Sequence, residues 1–489
     1  MMNRRNMQSM RSKMIFMTKW FQRYLRLPAL LPACAMAMET NEVADQTRPL
    51  YHLLSQSKGE HVADPNFAFF WKGKYHLFFC SSGGFAHGSS VDMVHWRWHP
   101  NTPFGGLSGT MFLNRDGIPT MITKTDKIVL ISALDDDLEK WSTPVPIVPK
   151  IRPGQDGSII SHWDPDIWVD NGVTYALFGY FPLEPTKEAT LMKSTDEKNW
   201  EYVGKFLSKE MPGVTRSKDL RLNDDISCPN FFKLGNKWML LCISHRRGCR
   251  YYLGDWKNEQ FTPDFHGWMN WSQEAGANTH GHGGEFFAPD SLLTPDGRRV
   301  MWAWPFACRK QRFGPSWFEV ISLPRELSLP EDGILRIKPL RELEQLRRNP
   351  AVEKELVVKH ETPYRLKDIA GDAIELSVTL EQGEARAYGV RVLCDKTNDR
   401  GLDVVVEPTH RTLKVGSTTA PLDLLPDEPI QLRIFVDRSV VEVFANDRQA
   451  VAKLHGYAAG DVGVCLFSKG GQMKVRELKA WTMAASNPW

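Results

Sequence analysis

Two aspartates, Asp64 and Asp164, each stand directly before a proline and at the head of an aromatic, strand-forming run. Proline removes a backbone donor and holds its predecessor in extended geometry, so both carboxylates are presented in the same way. One Asp-Pro pair alone is ordinarily a turn initiator. Two in register, in a chain with 17 Trp and 25 Phe, are a different matter. Paired carboxylates beside aromatic faces are equipment for cleaving glycosidic bonds: a nucleophile, a stabilising or acid/base partner, and a platform for sugar rings.

What must position them is a repeat. A residue, then Pro, then Asn or Asp opens a hairpin at Asp64-Pro65-Asn66, Asp164-Pro165-Asp166, Cys228-Pro229-Asn230 and Ala288-Pro289-Asp290. Each is followed by two runs of β-formers separated by turn chemistry (KGK, DNG, LGN, PDG). A fifth unit, Ser108 to Thr123, keeps the hairpin without the proline. Asp92, Asp137 and Asp196 each precede a tryptophan by four residues (Trp96, Trp141, Trp200), marking the ends of three units. Hairpin-led units near 64, 108, 164, 228 and 288 have the spacing of four-stranded propeller blades with insertions. In a propeller the first strand of each blade lines the central channel, so equivalent positions converge at its mouth.

Beyond residue 338 the character changes. Leu340, Leu343 and Leu346 share one side of a short linker helix expected over 339–351, and alternating strands such as AIELSVTL and LRIFVDRSVVEVFAN follow. The expected organisation is all-β: a basic leader over 1–47, a five-bladed β-propeller over 48–338, the linker, and a β-sandwich over 352–489.

The formal charge of +3 belongs to one end. Seven Lys and Arg and no acid lie within residues 1–38, and removing seven positive charges from +3 leaves the remainder at −4. That leader ends in an apolar run, Leu27 to Met38, with small residues that resemble an export signal; export is one expectation, a disordered leader the other. A mildly acidic body argues against a nucleic-acid partner, and no apolar run reaches the roughly 18 residues of a membrane-spanning helix. Eight cysteines without a CxxC pair do not form a zinc site, and His280-x-His282 in a glycine-rich loop is a weak metal signal. No metal and no cofactor are expected; the partner is a carbohydrate.

With these residues in place, the chain resembles glycoside hydrolase family 32, the invertase, inulinase and levanase group. RPLYHLL…HVADPN resembles the family's opening motif, LSGTMFLNRDG its Ser-Gly motif, and WDPDIW its Arg-Asp-Pro motif; SLPREL and LRIFVDRSVVEVFANDR resemble two further signatures. The resemblance implies a five-bladed propeller plus sandwich and retaining hydrolysis of β-fructofuranosides, with Asp64 as nucleophile and Asp164 as transition-state stabiliser. Asn66, Trp71, Ser108, Trp163 and Glu285 are the expected substrate-binding residues.

Three departures stand out. Ala63 occupies the place of a sugar-contacting Asn, and Trp163 that of an Arg. Ser227 stands where the family's Glu-Cys-Pro motif supplies the general acid, and a serine hydroxyl is no proton donor at useful pKa. In an extended segment Asp225 shares a face with Ser227, so burial raising its pKa would let Asp225 serve as the acid; Asp224 would point away. Glu285, before the fifth hairpin, is the other candidate, and a solvated turn pair is the structural alternative for Asp224 and Asp225. Two other functional readings stay open: a hydrolase of a different furanoside such as an arabinan, and a glycan-binding propeller that has lost its acid.

Overall fold

The computed structural model describes residues 48–54, 63–81, 83–181, 184, 186–207, 225–245, 247–271, 286–305 and 320–486. The leader, Asp224, His280, His282 and Glu285 lie outside the described residues.

Five consecutive sheets form the five-bladed propeller expected from the repeat. Their inner strands are Pro65–Trp71, Gly109–Leu113, Pro165–Asp170, Ser227–Leu234 and Phe286–Leu293, each paired with the next strand in sequence as an antiparallel hairpin. The turn of blade three places Asn171 and Gly172 at φ of 49° and 75°, the left-handed pair that a two-residue hairpin of this twist requires. Each inner strand packs against the next, and the fifth against the first.

The third residue of the repeat explains the closure. Asn66 Oδ1 accepts from Gly109 N of blade two (3.1 Å); Asp166 accepts from Thr110 Oγ1 of blade two (2.7 Å) and from Phe231 N of blade four (2.6 Å). Ser291 Oγ of blade five donates to Asn230 of blade four, and Asp290 Oδ2 accepts from Ala68 N of blade one at 2.7 Å, which completes the ring. The Asn/Asp position is therefore a staple between blades. Burial pushes Asp166 up to about 6, against the Thr110 and Phe231 donors, and raises Asp290 well above the ordinary carboxylate range.

The tryptophan markers pack between blades: Trp96 lies edge-on to Trp302 of blade five (6.2 Å) and Trp141 to Phe78 of blade one (6.0 Å). The turns before Trp96 and Trp200 are held by Asp92 and Asp196, whose Oδ1 atoms accept the N–H groups two and three residues on. In blade two the acid that holds the turn is Asp135 and not the marker Asp137: Asp135 Oδ1 accepts from Glu139 N and Lys140 N, four and five residues on, while Asp137 pairs with Lys74.

The linker is shorter than the expected 339–351. A short 3-10 helix, Arg341–Leu346, buries Leu343 and Leu346 beside Leu340, and a strand begins at Arg347. Two six-stranded sheets then pack face to face through Leu376, Val378, Ile434, Val443, Val390, Val404 and Leu466.

One hairpin of this sandwich, Ile430–Asp437 with Val440–Ala445, reaches both ends of the propeller. Asp437 accepts from the backbone N–H groups of Leu50, Tyr51 and His52 (2.6, 2.9 and 2.7 Å) and from His52 Nδ1 (2.8 Å). Glu442 accepts from Leu323 N (2.7 Å) and pairs with Arg325 Nη2 (2.8 Å) in blade five. Arg325 also donates to Met269 O and lies 4.2 Å over Phe286, the first residue of blade five. The two signature segments, SLPREL and FVDRSVVEVF, are thus halves of one buried ion pair.

Candidate active site

Asp64 and Asp164 each precede the inner strand of their blade, one and three, so both stand at the same end of the channel. Their fields overlap: both carboxylates push up the buried thiols of Cys80 and Cys228, after burial itself. Ser108, at the head of blade two, hydrogen-bonds the same Cys228. Residues of blades one to four therefore converge on one spot.

A bulge makes this possible. In blade four the ladder pairs Ser227 with Ile243 and then Asn230 with Leu241, leaving Cys228 and Pro229 outside it. Cys228, at φ 45°, turns its N–H out of the sheet to Asp164 Oδ2 at 3.0 Å, with its Sγ 3.6 Å from the same oxygen. Bulges beside active sites re-aim backbone and side chains in this way. Burial raises the Asp164 pKa, opposed by the Cys228 N–H and the charge of His245.

Trp163, next to Asp164, is half-buried at this mouth. Its ring lies 4.6 Å from Phe181, 6.5 Å from His245 and 5.3 Å from the Lys124 ammonium, and its Nε1 donates to Ser227 Oγ at 3.0 Å. Ser227 in turn donates to Asp225 Oδ2 at 3.1 Å. The hydroxyl in the family's acid position is buried and committed on both sides.

Three expectations are corrected. Asn66 is fully buried, its amide spent on Gly109 N, on Asp64 O and on the Cys80 sulfur, so it braces the blade carrying Asp64 instead of meeting substrate. Trp71 sits at the far end of its strand, beside the turn to Lys74, roughly 20 Å from Asp64 at the usual rise per residue. Asp225 is buried as expected, but its pKa moves the wrong way for an acid. Burial favours the protonated form, yet the bonds and charge of His245 and the charge of Arg250 outweigh it and hold the carboxyl below its ordinary value. Oδ2 meets His245 Nδ1 at 2.5 Å, Oδ1 accepts from His245 N at 3.0 Å, and Arg250 holds the Asp225 carbonyl. An ionised, cation-paired carboxylate does not donate a proton.

His245 was the residue missed. A signal existed: continuing the pairing of Ser227 with Ile243 two residues outward sets Asp225 directly across from His245. No group of three or more metal-binding side chains is present among the described residues.

A five-bladed propeller with carboxylates of two blades at its channel mouth, strapped to a β-sandwich, has the build of a glycoside hydrolase. Residues 54–339 match the glycosyl hydrolases family 32 N-terminal domain and residues 342–482 the family's C-terminal domain, so the chain belongs to glycosyl hydrolase family 32. Sucrose-6-phosphate hydrolase of Zymomonas mobilis subsp. mobilis is 26% identical over 440 residues, covering 79% of this chain and 82% of that protein. Raffinose invertase of Escherichia coli is 26% identical over 468 residues, covering 84% and 90%. Fructan 1-exohydrolase IIa from Cichorium intybus shares the fold, with a TM-score of 0.73 at 18% identity over 91% of this chain and 98% of that one.

Proposed function

We propose that the protein is a retaining β-fructofuranosidase that removes terminal β-fructofuranosyl residues from sucrose or fructans. The reading is carried by the convergence of Asp64 and Asp164 on one buried spot in a chain of this family; the named relatives that act on sucrose phosphate and raffinose support the substrate class. Asp64 attacks the anomeric carbon to form a fructosyl-enzyme, and Asp164, fixed by the Cys228 N–H, holds ring hydroxyls as charge develops on the sugar. Trp163, with Phe181 beside it, offers an aromatic face where the family's arginine would donate hydrogen bonds, and Ser108 hydrogen-bonds Cys228 beside the two acids. The mechanism needs no metal or cofactor.

Incubation with sucrose, inulin, levan and arabinan tests the reading. Fructose release that Asp64→Asn lowers by roughly 10⁴-fold or more, with the fold intact by circular dichroism, is the expected result. Arabinose release would move the assignment to another furanoside. Binding of fructan without turnover would leave a glycan-binding module. Export through residues 1–38 belongs to the same proposal and is checked by sequencing the N-terminus of the protein recovered from its native host.

A further inference from the structure

The reaction requires a proton for the leaving oxygen, and the position that supplies it elsewhere in the family is Ser227. The replacement lies one strand across. His245 directly follows the strand Lys237–Ser244, and Asp225 grips it twice, through backbone N–H and through Nδ1. Its ring stands among Trp163 (6.5 Å), Phe181 (4.8 Å, edge-on) and Phe287 (5.8 Å, edge-on), three aromatics from blades three and five. Its charge is felt by Asp164. The imidazole is therefore at the channel mouth, in an aromatic wall, within electrostatic reach of a candidate catalytic carboxylate.

We propose, on the β-fructofuranosidase reading above, that His245 is the general acid and base of the reaction, with Asp225 as its positioning residue. Nδ1 is committed to Asp225, so the transferable proton is the one on Nε2. In the first step the Asp64 carboxylate forms a bond to the anomeric carbon while the bond from that carbon to the leaving oxygen breaks. The Nε2 proton goes to that oxygen, which departs as an alcohol, and His245 becomes neutral. In the second step neutral Nε2 takes a proton from water as the water oxygen bonds to the anomeric carbon. The Asp64 carboxylate is released and the imidazolium restored. Asp225 has the orienting role that a carboxylate plays behind a catalytic histidine: it fixes the ring through Nδ1. Among the described residues, Asp225 and Asp164 are charged groups that act on the ring, with Arg250 behind Asp225.

The test uses two substrates on the full chain. Sucrose has a poor leaving group and needs the proton; 4-nitrophenyl β-D-fructofuranoside does not. His245→Gln is expected to lower kcat/KM on sucrose by roughly 10²–10⁴-fold and on the aryl fructoside by less than about tenfold. Azide should rescue the variant's turnover of the aryl substrate and yield fructosyl azide. Asp225→Asn is expected to shift the high-pH fall in sucrose kcat/KM to lower pH, because the imidazolium loses its counter-charge, and a structural role would leave that profile unmoved. Equal loss on both substrates in His245→Gln, or the leaving-group split appearing in Glu285→Gln instead, overturns the assignment. The unmutated protein gives an independent check, since a sucrose profile that is flat through the imidazole range overturns it as well. Failure of the underlying reading looks different: Asp64→Asn would then leave both substrates turning over, or neither would be cleaved at all.

Discussion

Asp164 at the channel mouth and Glu442 at the contact between propeller and sandwich are both buried carboxylates, and their surroundings move them in opposite directions. Burial dominates at Asp164, which meets one backbone N–H and one thiol, and its proton is held more tightly than usual. Glu442 is buried as deeply, yet Arg325 and His52 outweigh the desolvation and keep it ionised. The structural site surrounds its carboxylate with opposite charge. The site assigned to chemistry leaves charge for the reaction to satisfy, as preorganised sites do.

Exchanging function for stability breaks this comparison most directly. Asp164→Asn is expected to cost roughly 10³-fold in kcat/KM while leaving the urea midpoint unchanged or raised, because a buried charge has been removed. A clear loss of stability in that variant would make Asp164 a structural acid like Glu442. Arg325→Met is its mirror: it strands Glu442 and should cost about 3–5 kcal/mol of stability. Kinetic constants measured on the folded fraction in the cold should stay near those of the parent.

The same network gives a pH signature. Burial alone would lower the His52 pKa, but Asp437 and Glu442 lift it to about 9. The folded state therefore binds this proton more tightly than the unfolded chain. Its contribution, about 3 kcal/mol, is fully present below pH 6.5 and is lost as pH rises towards 9. Urea midpoints should fall over that window, and His52→Gln should flatten the slope. The smallest effect belongs to the blade staples: Asn66→Ala leaves Gly109 N without its acceptor and should cost about 1–3 kcal/mol by chemical denaturation. Its influence on kcat should be modest, since the Asn66 amide donates to the backbone oxygen of Asp64.

The propeller was legible because the repeated Pro-Asn/Asp motif does one physical job in every blade that carries it, linking inner strands side by side. The same motif misled at Asn66, where a polar residue next to a candidate nucleophile was read as a sugar contact. Trp71 was misplaced because nearness in sequence to Asp64 does not survive an extended strand, which carries the two apart. Asp225 was found, but its partner was not, because the pair is formed across a hairpin and the pKa of a buried acid depends on what faces it. The meaning of the two late signatures, a salt bridge between Arg325 and Glu442, lies in tertiary contact and has no trace in spacing.

The clasp also fixes an order of events. Asp437 accepts from Tyr51 across 386 residues of sequence, and each blade is made of consecutive strands. During synthesis the five blades emerge first, and their two ends wait without the counter-charges that join them until the hairpin Ile430–Ala445 has left the ribosome. The two ends of the propeller are thus joined only by a hairpin encoded well beyond the last blade.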